Sequence, residues 1–173
     1  DTLIVVDCFS VIYSLHKQLS DVFKAEIYEQ ADDVGGTWYW NRYPGARCDI
    51  ESMDYSYSFS EELQQEWNWK EKYGTQPELL EYARYVCKKF KLRNKINFNT
   101  KITKANFNEK YQNWFIKTDK DEVITTKNLI LATGNLSTPN TPHFRGINEF
   151  KGNIYHTGAW PKKMPNFKGK RVG

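Results

Sequence analysis

The chain has 173 residues, with 25 Lys and Arg against 21 Asp and Glu and a formal net charge of +4. Its 39% hydrophobic and 16% aromatic residues suffice for a packed core, which excludes wholesale disorder. No apolar run approaches the roughly 20 residues that span a bilayer, no secretory leader opens the chain, and Cys8, Cys48 and Cys87 form no CxxC pair. What remains is a soluble, cytoplasmic protein of one domain, or part of a larger one, without a disulfide framework or a structural metal.

Charge is unevenly placed: residues 1–66 carry 4 basic and 13 acidic side chains, residues 67–173 carry 21 and 8. The lysines are scattered and form no dense run beyond Lys88-Lys89 and Lys162-Lys163. A solvated basic face is therefore expected, with no nucleic-acid partner.

In chain order, residues 3–6 form a short apolar run of the kind a buried parallel strand shows. Val11, Ile12, Leu15 and Leu19 fall at helical spacing, and residues 25–29 read as a second strand, which makes a βαβ unit. A turn-rich, aromatic-rich stretch occupies 32–59. Ser60-Glu61-Glu62 and Gln76-Pro77-Glu78 read as helix starts, the second opening an amphipathic helix through Leu79, Leu80, Tyr82, Val86 and Phe90. Short strand candidates at 96–100, 102–107, 114–118 and 123–126 predict a small antiparallel β insertion at 96–126. Residues 128–134 then read as another buried strand, ended by Gly134, and the chain beyond Ser137 is loop-like. The order predicts an α/β fold interrupted by an antiparallel insertion.

Two features carry chemistry. Glu29 closes the second strand 18 residues after Val11, close to where a dinucleotide-binding fold places the carboxylate that holds a ribose. A polar residue ending a strand is also commonplace. The run Asp33-Val34-Gly35-Gly36-Thr37-Trp38-Tyr39-Trp40-Asn41-Arg42-Tyr43-Pro44-Gly45-Ala46-Arg47-Cys48-Asp49-Ile50-Glu51-Ser52 combines close-approach glycines, flat aromatic walls and opposite charges at Arg47 and Asp49. An aromatic mini-core beneath a loop would show the same composition.

This run resembles the FAD-binding segment of the Baeyer–Villiger monooxygenases, most of all the cyclohexanone and phenylacetone monooxygenase group. The stretches 55–62 and 65–69 are similar to that group too. A second match is Phe150-Lys151-Gly152-Asn153-Ile154-Tyr155-His156-Thr157-Gly158-Ala159-Trp160-Pro161, which fits the family fingerprint FxGxxxHxxxW followed by Pro or Asp. Ala132-Thr133-Gly134 resembles the strand-end motif where the chain returns to the FAD domain.

The resemblance implies a Rossmann-like, glutathione-reductase-type FAD-binding domain, and an FAD- and NADPH-dependent oxidation of a ketone to an ester or lactone by O2. It implies that Ser10 and Glu29 contact the phosphate and ribose side of FAD. Thr37, Trp38, Tyr39, Trp40, Asp49, Tyr55 and the backbone near Ile102 would line the rest of that site. Arg47, Cys48 and Asp49 would face NADP, Asp49 being also a catalytic candidate. Phe150, Gly152, His156 and Trp160 form the fingerprint, whose family role lies in the inter-domain connection; a loop histidine is also commonly structural.

The implied organisation is an FAD-domain portion at 1–138, a linker at 139–167, and the start of an NADPH domain at 168–173. An N-terminal fragment of a protein roughly three times longer, lacking the family's catalytic arginine and itself inactive, is the corresponding expectation. The family's GxGxxG glycines fall on Val6, Cys8 and Val11, whose side chains would crowd the turn and the pyrophosphate, so weakened FAD binding is expected. Two other readings stand beside this one: a flavin monooxygenase acting on nitrogen or sulfur, and a non-catalytic globular remnant without FAD.

Overall fold

The computed structural model describes residues 2–6, 25–134 and 136–173, the first of these as backbone only. Ser10, Cys8, Val11 and the expected helix at 10–19 lie outside the described residues.

The frame is a parallel sheet. Strand β1 (Thr2–Val6) sits centrally, flanked by β2 (Ala25–Tyr28) on one side and β7 (Asn128–Ala132) on the other. A two-residue strand, β3 (Ile96–Asn97), extends the sheet beyond β2, giving the order β3-β2-β1-β7. The sequence expectation put this segment in the antiparallel insertion. Instead Ile96 pairs in parallel with Ile27 and is buried in the main core. The physical reason is non-local: Ile96 completes the apolar cluster of Ile27, Val34, Tyr82, Val86 and Leu92.

The antiparallel insertion comprises β4 (Ile102–Asn108), β5 (Asn113–Thr118) and β6 (Val123–Thr126), in that spatial order. Its cross-strand pairs include Phe107 opposite Trp114 and Ile116 opposite Ile124. Ile116 is fully buried and shares a cluster with Tyr28, so one side chain on β5 ties the small sheet to the parallel one.

Two one-turn helices, α1 (Thr37–Trp40) and α2 (Ser52–Tyr55), punctuate the aromatic stretch. Helix α3 (Glu61–Glu66) begins where Ser60 accepts a hydrogen bond from Leu63 N at 3.2 Å, a side-chain N-cap. Helix α4 (Gln76–Lys89) begins with Pro77 in its first turn and ends with Lys88 and Lys89, both suited to the helix dipole. Its apolar stripe of Leu79, Tyr82, Ala83 and Val86 is buried. Around it Tyr57, Phe59, Trp67, Trp69, Tyr85 and Phe90 pack edge-to-face, stacked or tilted.

The helix closes with Leu92 N donating to Cys87 O at 2.9 Å and Lys91 N to Lys88 O at 3.1 Å, around a left-handed Lys91 (φ 53°). That is a Schellman ending with lysine in the place glycine prefers, and buried Leu92 supplies its apolar contact. No helix among the described residues is long and apolar enough to cross a membrane.

Candidate functional site

In open parallel sheets, ligands bind beyond the carboxyl ends of the strands where the strand order reverses. Here the order reverses at β1, between β2 and β7. Glu29 follows β2 directly and is only 5% exposed. Its backbone is pinned on both sides, N–H donating to Asn97 O at 3.1 Å and C=O accepting from Thr100 N at 3.0 Å. Its side chain turns onto the next loop, where Oε1 accepts from Ala31 N at 2.7 Å. The carboxylate is thereby fixed in a buried position at the strand end. Two residues after β7, Gly134 adopts a left-handed φ of 66°.

Beyond Glu29 the chain runs through Asp32 and Asp33 into the paired glycines. Gly35 has φ 123°, and a Cβ there would stand 2.4 Å from Leu80 Cδ1 on α4. The loop passes against Leu80 of α4, and its φ at Gly35 is one that glycine adopts without strain. Helix α1 follows at once and is tied down at several points. Trp38 Nε1 donates to the Tyr55 hydroxyl at 2.7 Å, and Gln76 Nε2 donates to Trp38 O. Tyr39 is buried and its hydroxyl donates to Asp32 Oδ1 at 2.5 Å. Arg42 donates to Tyr39 O and lies over the Tyr39 ring at 4.7 Å. Thr37, Trp38 and Trp40 are half-buried, leaving part of each surface toward solvent. The structure thus brings Trp38, Tyr39 and Tyr55 into one assembly. The aromatic mini-core forms around α4 from Tyr57 and Phe59 of the stretch, together with Trp67, Trp69, Tyr82, Tyr85 and Phe90 beyond it.

Residues 46–52 run beside 71–76. Cys48 N donates to Gly74 O at 2.9 Å, Gln76 N to Ala46 O at 2.8 Å, and Ser52 N to Lys72 O at 2.7 Å. Cys48 is buried, its sulfur accepting from Ile50 N at 3.4 Å, while Arg47 and Asp49 are exposed. Arg47 pairs with Glu71 at 2.9 Å rather than with Asp49. Ile102 opens β4 two residues after Thr100, whose backbone bonds Glu29, and it packs on the Tyr28 and Ile116 cluster.

The fingerprint forms a separate knot. His156 Nδ1 accepts from Gly158 N at 3.0 Å and Nε2 faces Asn140 O at 3.0 Å, which sets the neutral tautomer with the proton on Nε2. His156 thus acts as a structural staple between 140 and 158. Gly152 lies under the Phe150 ring, where a Cβ would be 2.6 Å from Cζ. Trp160 contacts Tyr155 and Phe167 at ring distances of 5.6 and 6.3 Å. A cavity of about 500 Å³ opens beside them, lined by Phe150, Ile154, Tyr155, Trp160, Phe167 and Arg171 among others.

Sequence reasoning missed Asp32, Arg42, Gln76 and Lys162. Only the doubled Asp32-Asp33 before the glycines offered a signal. No cluster of three or more His, Cys, Asp or Glu able to hold a metal occurs among the described residues.

A parallel sheet of this order, with a buried acid closing its second strand, defines an α/β protein of the dinucleotide-binding type. The chain belongs to the pyridine nucleotide-disulphide oxidoreductase family, which it matches over residues 48–172. It is 45% identical over its whole length to a Baeyer-Villiger monooxygenase of Pseudooceanicola batsensis, and 41% identical to a phenazine N-monooxygenase of Lysobacter antibioticus. A solved cyclohexanone monooxygenase from Rhodococcus sp. Phi1, bound to NADP+, is 41% identical and superposes with a TM-score of 0.87, over 95% of this chain and 31% of that one. The chain covers 32% of each of the first two, so it spans about a third of these relatives. The resemblance read from residues 33–52 and 150–161 is borne out, and so is the α/β fold with its antiparallel insertion.

Proposed function

We propose that this chain forms the FAD-binding portion of an NADPH-dependent flavin monooxygenase that converts a ketone to an ester or lactone with O2. The observation that carries this reading is the buried Glu29 carboxylate beyond β2, beside the tethered aromatic turn 37–40. The residues fit the group: Glu29 would take the ribose hydroxyls of FAD, and the half-buried faces of Trp38 and Trp40, with Thr37, Tyr39, Asp49 and Tyr55, would border its ring system. The backbone near Ile102 and Ser10 would complete the site, and Arg47, Cys48 and Asp49 would meet NADPH. FAD, once bound, supplies the electron transfer and oxygen activation that amino-acid side chains lack. The chain's own residues bind and orient it, and Tyr39, Trp38 and Tyr55 exclude water from one side. The ketone, O2 and the cytoplasm as the place of action belong to the same reading, as does a division into an FAD portion (1–138), a linker (139–167) and the beginning of an NADPH domain (168–173).

Val6, Cys8 and Val11 in place of the family's glycines weaken FAD binding in this reading. Titration of the 173-residue chain with FAD, followed by flavin fluorescence, tests it. Saturable binding is the expected result, and Glu29→Gln should weaken it by about tenfold, the loss of one charge-assisted hydrogen bond, with Ala31 N still satisfied. No binding alongside a cooperative thermal transition would overturn the reading in favour of a non-catalytic remnant.

Oxygenation of nitrogen is the second reading. It is favoured by the 41% identity to a phenazine N-monooxygenase over this chain's full length. This portion of the fold serves both kinds of relative.

A further inference from the structure

The linker and the flavin segment meet at one carboxylate. Asp32 presents both oxygens: Oδ1 accepts from the buried Tyr39 hydroxyl at 2.5 Å, and Oδ2 from Lys162 Nζ at 2.9 Å. The same ammonium stands 5.5 Å from the centre of the Tyr39 ring. Lys162 is 130 residues from Asp32 in the chain and two beyond Trp160 of the fingerprint. We propose that Lys162 is a positioning residue that clamps the linker onto the Asp32 and Tyr39 edge of the flavin segment, so that the two segments become ordered together.

An isolated exposed ion pair contributes little, and Lys162 is 64% exposed. This one differs because the carboxylate is shared. Tyr39 is buried on α1 and its hydroxyl holds the half-exposed Asp32 through the other oxygen, so part of that partner's rotamer entropy is lost independently of Lys162. The Tyr39 hydroxyl and the Lys162 ammonium together hold the Asp32 carboxyl below the usual carboxylate range. Moving Lys162 away leaves Tyr39 bonded to a carboxylate that has lost its cation. Loosening α1 costs Lys162 both its acceptor and its ring. Each side therefore stabilises the other, and FAD bound at α1 favours the docked linker; that last consequence rests on the FAD reading above.

Backbone amide exchange on the 173-residue chain tests the clamp. The reporters are Trp40 and Asn41 N–H on α1, bonded to Gly36 O and Thr37 O, and Gly158 and Ala159 N–H in the fingerprint, both bonded to His156. Lys162→Gln and Asp32→Ala should each speed exchange in both places by about two- to fivefold, and Lys162→Arg should restore it. Faster exchange confined to 158–159, or no change at either place, overturns the proposal. With FAD added, slowing at 158–159 in the wild type but not in Lys162→Gln links the clamp to the cofactor, and equal slowing in both removes that link. A wild type that binds no FAD sinks the functional reading, while the exchange comparison without FAD still decides the clamp.

Discussion

Trp38 and Tyr55 face each other across 17 residues, the indole N–H donating to the phenol oxygen at 2.7 Å with the rings edge-to-face at 6.1 Å. The bond joins α1 to α2 and sets the angle of the Trp38 ring. Tyr55→Phe keeps the ring and removes the acceptor, leaving a half-buried indole donor without its protein partner. The expected loss is about 1 kcal/mol. It would be read as a fall in Tm of roughly 3 °C.

Gly35 takes a φ of 123°, a conformation that L side chains rarely adopt, whereas a Cβ there would meet only the flexible tip of Leu80 at 2.4 Å, which can swing aside. Gly35→Ala should therefore cost about 1–3 kcal/mol through the backbone, measurable by urea unfolding. In a Leu80→Ala background that penalty should be unchanged, and a smaller one would show that the overlap with Leu80 contributes.

Lys91 occupies the left-handed position that ends α4, at φ 53°. Both hydrogen bonds of the Schellman ending come from backbone N–H groups, its own to Lys88 O and that of Leu92 to Cys87 O, so glycine would keep the geometry and relieve the Cβ strain. Lys91→Gly is expected to stabilise the chain by about 1 kcal/mol, seen as a higher urea midpoint at unchanged slope.

The Tyr28 hydroxyl donates to Glu26 Oε2 at 2.9 Å. Burial first, then the Glu26 carboxylate, push its pKa up from 10.0 to about 12. The folded chain therefore holds this proton where the unfolded chain releases it. Its contribution is complete below about pH 10 and is lost as the pH rises through about 12. Stability measured by urea unfolding should fall over that window, and Tyr28→Phe should flatten the fall. Absorbance of tyrosinate against pH should lose one late-titrating tyrosine in the same variant, while Tyr82, raised by burial, and Tyr85, raised by its hydrogen bond to Glu66, still titrate late. An unchanged alkaline slope would mean that Tyr28 titrates normally.

Much of this protein is determined by short-range sequence. The amphipathic spacing from Leu79 to Val86, the Gln76-Pro77 start and the Ser60 cap are local signals, and α3 and α4 form where they point. The apolar runs of β1, β2 and β7, and Glu29 at the end of β2, are equally local, as are the two long motifs that carry the family resemblance. Tertiary structure alone decided which partners these elements take. Ile96 and Asn97 joined the parallel sheet because Ile27 offers a buried register, a fact that no period-2 pattern around residue 96 contains. Arg47 turned to Glu71 rather than to nearby Asp49 because 46–52 is hydrogen-bonded alongside 71–76. Asp32 met Lys162 across 130 residues. Local periodicity records which face of a segment is buried, whereas a partner is chosen by geometry and desolvation once the chain has closed on itself, and that choice leaves no trace in the spacing of residues.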